Sequence, residues 1–359
     1  MIVGLVVLTA GAELLIRGGS GLAKAIGLPS LIIGLTVVAF GTSAPEVAVS
    51  VGAAYTGDAG IALGNAIGSN TFNILFILGI SAIVAPLIVS TQLIRLDVPV
   101  MIGVAGLAWI FAGDGRIMRW EGLILFALLV LYTGLLITLG LRKGSDPADA
   151  TPLCTPEEAA KPEPAPRVLP SIIFTILGLA LLVVGARVLV SGATTLAQAM
   201  GVSDLLIGLT IVAAGTSLPE VATSLVATIR GQCDIAVGNI VGSNIFNMLA
   251  VLGSAATVAP DSIAVESNAL LLDFPVMMAA TVVCLPLFIT GGRVSRWEGV
   301  LLFLSYVAYV IYLFLSATGN EALPAYRAGL AIALPLAGLG VAFSLFFGLH
   351  TARRKQVTG

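Results

Sequence analysis

Histidine occurs once in these 359 residues, cysteine three times, and charged residues make up only 10% of the chain. Each scarcity removes a class of chemistry. A single histidine, His350, leaves no partner for a Ser/His hydrolytic arrangement or a histidine-rich metal site. Cys154, Cys233 and Cys284 lack metal-ligand spacing and are odd in number, so they are expected to be free thiols. The near-neutral balance, 17 basic against 19 acidic residues, offers no electrostatic footprint for a nucleic-acid partner.

What is abundant is apolar sequence: 58% of residues are hydrophobic and the mean hydropathy is +1.08. A soluble core of this length does not need that much, so the chain is expected to be an all-α polytopic membrane protein. A span takes roughly 20 apolar residues. Eleven such segments stand near residues 2–16, 30–56, 61–85, 96–113, 119–141, 168–190, 205–229, 235–259, 269–291, 297–316 and 325–349. The first has no basic stretch before it and no small-residue cleavage site after it, which marks a retained helix.

The second segment carries a carboxylate through its apolar run and then returns. Ile33 to Ser50 reads IGLTVVAFGTSAPEVAVS; Ile207 to Ser224, 174 residues on, reads IGLTIVAAGTSLPEVATS, with 14 of 18 positions identical. GNAIGSNTFNILFILG from Gly64 recurs as GNIVGSNIFNMLAVLG from Gly238 at the same displacement. Leu96-Asp97-Val98-Pro99 returns as Leu272-Asp273-Phe274-Pro275, and Arg119-Trp120-Glu121-Gly122 as Arg296-Trp297-Glu298-Gly299. The duplication therefore spans whole halves, residues 1–141 and 168–316. Five segments per half is an odd number, so the second copy enters the membrane from the opposite side, giving two inverted-topology five-helix repeats and a ten-helix core. Residues 325–349 have no counterpart and add one C-terminal helix. Residues 142–167, rich in Pro, Ala and charge, read as a disordered cytoplasmic linker.

An ionisable residue inside a membrane span is expensive, and its default reading is an ion or substrate site. Glu46 and Glu220 are such residues. Thr42 and Ser43 precede Glu46 by four and three positions, which on one helix would place all three on one face; Thr216 and Ser217 repeat this before Glu220. Pro45 removes an intrahelical hydrogen bond near residue 41. In the next segment Asn65, Ser69 and Asn73 step by four, as do Asn239, Ser243 and Asn247. Asn65 and Asn239 are equally suited to bonding between helices, while Asn70 and Asn244 fall off the stripe and read as packing or cap residues. Carboxylates, hydroxyls, amide oxygens and freed carbonyls form an all-oxygen set, which suits Na⁺ and Ca²⁺ rather than zinc, copper or iron. Two carboxylates about 5 Å apart at an effective dielectric of ~20 repel by roughly 3 kcal/mol, a cost that a divalent cation removes.

With these paired GTSxPE and GSNxFN motifs in inverted halves, residues 1–316 resemble the cation/calcium exchanger superfamily, closest to prokaryotic sodium/calcium exchangers. The resemblance implies that Thr42, Ser43, Glu46, Ser69 and Asn73 form one half of a midplane ion site, and that Thr216, Ser217, Glu220, Ser243 and Asn247 form the other. It also implies the backbone carbonyls of Ala39 and Ala213 as ligands. Some exchangers carry aspartate where this chain has Asn247, which leaves two candidate carboxylates here. The expected function is secondary antiport of Ca²⁺ against Na⁺ by alternating access, with no cofactor and no enzymatic activity; Ca²⁺/H⁺ antiport on the same fold is the alternative. A channel is disfavoured because no selectivity-filter loop repeats. The excess of basic residues on alternate loops, including Arg17, Lys24, Arg95, Arg142 and Arg230, predicts an N-terminus outside and a C-terminus in the cytoplasm of a prokaryotic inner membrane.

Overall fold

The computed structural model describes residues 1–143, 168–200, 213–289 and 291–330. Residues 144–167 of the linker expected at 142–167, most of the final apolar segment and residues 205–212 of the seventh lie outside them.

Helix α1 (Ile2–Ile26) runs ten residues past its expected end and closes at Gly27, whose φ of 71° is the left-handed conformation that glycine adopts without strain. Arg17 does not stop it, because Glu13 one turn earlier accepts from its guanidinium at 2.5 Å. The next segment is two helices, α2 (Ser30–Thr42) and α3 (Ala44–Thr56), bent by 44° at Ser43. Then follow α4 (Gly60–Val84), α5 (Leu93–Asp114) and α6 (Arg119–Arg142). The second half supplies α7 (Val168–Ala199), a single turn at Ala213–Gly215, α8 (Leu218–Ile229), α9 (Cys233–Val258), α10 (Ala269–Ile289) and α11 (Arg296–Ala317). Residues 323–330 begin a further helix. Eight of these helices are each long and apolar enough to span a membrane, and the bent pair α2–α3 passes the same test only when its two helices are taken together.

Contacts between the halves are reciprocal, the signature of a twofold. On α1, a β-carbon at Gly4 would lie 2.6 Å from the Leu189 nitrogen, one at Gly11 2.7 Å from that of Leu182, and one at Gly18 2.5 Å from that of Thr175. The partner numbers fall as the glycine numbers rise, so α1 and α7 are antiparallel. Their glycines correspond at 174 residues, and Gly178 and Gly185 meet Leu15 and Leu8 in return. Equivalent helices that run antiparallel along their contact need a twofold axis across them, the arrangement expected of an inverted repeat. Small residues let the two backbones close up where lipid offers no hydrophobic drive to association.

The short connections obey the same symmetry. Strand β1 (Leu87–Ile88) pairs with β4 (Arg293–Val294), and β2 (Arg116–Ile117) pairs with β3 (Ile263–Ala264), each antiparallel. The repeated RWEG motif starts α6 and α11: Glu121 accepts from the Met118 amide and Glu298 from the Ser295 amide, both at 2.7 Å. The repeated aspartates bind tyrosines, Asp97 with Tyr132 and Asp273 with Tyr309. Helix α9 lies at the centre, with its whole hydrophobic span buried. Of the cysteines, Cys284 is buried and free. Cys233 is disulfide-bonded, which corrects the expectation of a free thiol there; an odd count of cysteines does not exclude a bridge.

Candidate functional site

The site is built where the two broken helices meet. Proline at the second position of α3 and of α8 has no N–H to offer the preceding helix, so the backbone turns at Ser43 (φ −82°, ψ 1°) and Ser217 (φ −88°, ψ 7°). These serines occupy helix N-cap positions, yet neither side chain caps its own helix. Ser43 Oγ donates to Glu220 Oε1 and Ser217 Oγ to Glu46 Oε1, both at 3.1 Å. The break corrects the expectation that Thr42, Ser43 and Glu46 share one helix face: each serine serves the carboxylate of the other half.

Glu46 and Glu220 are each 1% exposed and sit in the first turn of their helices, where the helix dipole favours negative charge. Neither takes part in an ion pair among the described residues. The second oxygen of each, Oε2, is buried with no hydrogen-bond partner. An unpaired buried carboxylate costs several kcal/mol, a cost that either a bound cation or a proton would remove.

Hydroxyls of both halves adjoin the pair, and further neutral polar groups are buried on the helices that follow. Ser217 Oγ also lies 3.2 Å from Ser69 Oγ, which binds α4 to the same cluster one turn before Asn73. Asn73 is 1% exposed and both its amide atoms lack a protein partner; Ser243 Oγ and Asn247 Oδ1 are likewise buried and free. The described residues hold no group of three or more His, Cys, Asp or Glu side chains suited to a metal. Carboxylate, hydroxyl and amide oxygens are the donor types that suit hard cations.

Thr42 and Thr216 interact with the carboxylates of the other half, Glu220 and Glu46, and also with asparagines. Thr42 Oγ1 donates to Asn239 Oδ1 (3.2 Å) and Thr216 Oγ1 to Asn65 Oδ1 (3.4 Å), while the asparagines donate to Ser224 and Ser50 at 2.9 Å. Asn65 and Asn239 thus have both amide ends engaged and act as ties between helices. The Ala39 carbonyl accepts from the Ser43 amide at 3.0 Å and lies 3.3 Å from Thr42 Oγ1. Ala213 stands at the edge of the described residues, where it opens a single turn. Asn70 and Asn244, read from sequence as packing residues, bridge the halves: Asn70 Nδ2 donates to the Asn244 carbonyl and Asn247 Nδ2 to Asn70 Oδ1, both at 3.1 Å.

The twofold is broken beside this cluster. On one side α1 packs along α8, and Glu13 pairs with Arg230 at the end of α8. The symmetry-related helices α7 and α3 instead flank a cavity of about 500 Å³, lined by Pro45, Ala48, Arg187, Ser191, Thr216 and Pro219 among others. It reaches the prolines that adjoin both glutamates.

A family model described as sodium/calcium exchanger protein matches residues 1–138 and 170–315. The chain belongs to the sodium/calcium exchanger family. This is a family of transporters, not enzymes. Its relatives include the protein named CaxA of Alkalimonas amylolytica, 42% identical over 88% of this chain and 98% of that protein. Sodium/calcium exchanger MaX1 of Methanosarcina acetivorans is 32% identical over 88% of this chain and 97% of its own. A solved structure of the sodium-calcium exchanger NCX_Mj superposes with a TM-score of 0.73 at 31% identity, covering 87% of this chain and 97% of that one. The exchanger fold thus accounts for both halves of this integral membrane protein.

Proposed function

We propose that this chain is a secondary antiporter that moves Ca²⁺ against Na⁺ through the oxygen cluster of Glu46 and Glu220. The observation that carries the reading is the pair of buried carboxylates without a cationic partner among the described residues, each with one free oxygen and one held by a serine of the other half. Ca²⁺ takes six to eight oxygen ligands. Glu46, Glu220, Ser43, Ser217, Ser69, Ser243, Asn73 and Asn247 are the side chains proposed to supply them, with Thr42, Thr216 and the carbonyls of Ala39 and Ala213 as further ligands when the helices move.

Family membership supports cation/Ca²⁺ exchange as the reaction class, and the names of MaX1 and NCX_Mj support Na⁺ as the coupling ion. The chemistry agrees: amide oxygens coordinate Na⁺ but do not titrate, so a site rich in them suits metal ions better than protons. Three Na⁺ against two carboxylates would leave one net positive charge, and exchange for one Ca²⁺ would move charge worth ~2.3 kcal/mol per 100 mV. The broken symmetry supports alternating access. One of two equivalent helix interfaces is closed and the other stands beside a cavity, so exchanging their states would present the site to the other side. The loop charges support an N-terminus outside and both the linker and the C-terminus in the cytoplasm.

The test is ⁴⁵Ca²⁺ flux in vesicles, driven separately by an imposed Na⁺ gradient and an imposed pH gradient at clamped membrane potential. Uptake should follow Na⁺. Uptake that follows the pH gradient and ignores Na⁺ would make the chain a proton antiporter.

A further inference from the structure

The amide of Asn247 has two ends, and only its oxygen can ligate a cation. The partners of the two ends tell them apart. A backbone carbonyl cannot donate. The Asn244 carbonyl therefore fixes Nδ2 as the end of Asn70 that faces it, at 3.1 Å. Asn70 must then turn its oxygen toward Asn247, which must answer with its own Nδ2, again at 3.1 Å. Asn247 Oδ1 is left aimed away, buried and without a protein partner.

We propose that Asn70 is a positioning residue for exchange, holding the Asn247 amide so that its carbonyl oxygen faces the transported cation. Asn70 and Asn247 are each 1% exposed, so water does not substitute for this bond. The arrangement is one-sided. Asn244, the symmetry mate of Asn70, turns its Nδ2 onto the Ile240 carbonyl of its own helix at 2.7 Å, and Asn73 receives no orienting bond. Symmetric sequence thus gives one amide that is oriented in advance and one that is free to turn.

The inference rests on the exchange reading, and a paired background separates the two. Equilibrium binding of ⁴⁵Ca²⁺ and ²²Na⁺ is measured on the purified full-length protein. Asn70→Ala should raise the half-saturating concentration about tenfold, because the released amide can present nitrogen to the ion. In an Asn247→Asp background the same Asn70→Ala change should alter affinity less than twofold, since a carboxylate presents oxygen in either orientation. Equal losses in both backgrounds would make Asn70 a packing residue and overturn the proposal, as would no loss in the unmodified background. Should Asn70→Ala fail to fold, the near-isosteric Asn70→Leu is read in the same two backgrounds. Absence of saturable binding by the unmodified protein would instead overturn the exchange reading itself.

Discussion

Ser43 donates to Glu220 and Ser217 to Glu46, each at 3.1 Å, so the break in each half's helix is tied to the carboxylate of the other. The hydroxyl orients a carboxylate oxygen, and in the proposed site its lone pairs would be open to the same cation. Neither serine caps its own helix, so alanine at either position should fold normally. Ser43→Ala and Ser217→Ala should each raise half-saturating Ca²⁺ about tenfold, the scale of one hydrogen bond to a charged group at ~1.5 kcal/mol. Threonine, which keeps the hydroxyl, should recover most of it. Calcium titration of the purified variants is the measurement, and an unchanged midpoint for either alanine would remove that serine from the site.

Glu46→Gln and Glu220→Gln keep shape and remove charge. Losing either carboxylate leaves one negative charge for a divalent cation, so flux should fall below about 1% of the unmodified rate, at least ~2.7 kcal/mol, while membrane insertion and thermal stability hold. Burial favours this outcome, since replacing an unpaired buried charge by a neutral amide relieves desolvation. Exchange at the normal rate in either variant would exclude that glutamate.

The two glutamates were legible in the sequence because a charge in an apolar run violates the cheapest arrangement, and because the violation is duplicated. The halves were legible for the same reason. Which serine meets which glutamate was not, since helical spacing describes neighbours within one helix and the bend at Ser43 sends that side chain across the twofold. Four-residue stepping omits Asn70 and Asn244, which therefore read as packing or cap residues, yet a contact between halves obeys no such spacing. One missed signal was available: Gly4, Gly11 and Gly18, like Gly178, Gly185 and Gly192, recur every seven residues, the period of an antiparallel helix seam.

That seam gives a stability test. A β-carbon at Gly11 would stand 2.7 Å from the Leu182 nitrogen, a backbone atom that cannot step aside alone. Gly11→Val should force α1 and α7 apart at a cost of about 1–3 kcal/mol or more. Gly103, in α5, meets nothing within 4 Å, so Gly103→Ala should be neutral or stabilise by about 0.4–1 kcal/mol. Thermal unfolding in detergent distinguishes the two, and equal melting temperatures would contradict the close α1–α7 approach.

The Glu13–Arg230 pair spans only the closed interface. Adding 174 to 13 gives 187, where the second half carries Arg187, and subtracting 174 from 230 gives 56, where the first half carries Thr56. The interface between α3 and α7 can form no equivalent ion pair, so this contact favours the arrangement with the cavity beside Arg187. The side chains of Glu13 and Arg230 are 24% and 37% exposed. A pair so placed is worth roughly 0.2–1 kcal/mol, up to about fivefold in the balance between the two arrangements. Glu13→Gln should therefore lower the labelling rate of a cysteine introduced at Ala48, in the cavity wall, by up to that factor when ions are absent. The measurement is the rate of reaction with a water-soluble thiol reagent, corrected for labelling of the parent protein. The effect should shrink at high salt, which screens exposed pairs, and Glu13→Lys combined with Arg230→Glu should restore the parent rate. Faster labelling after Glu13→Gln would mean that the pair holds the cavity shut rather than open.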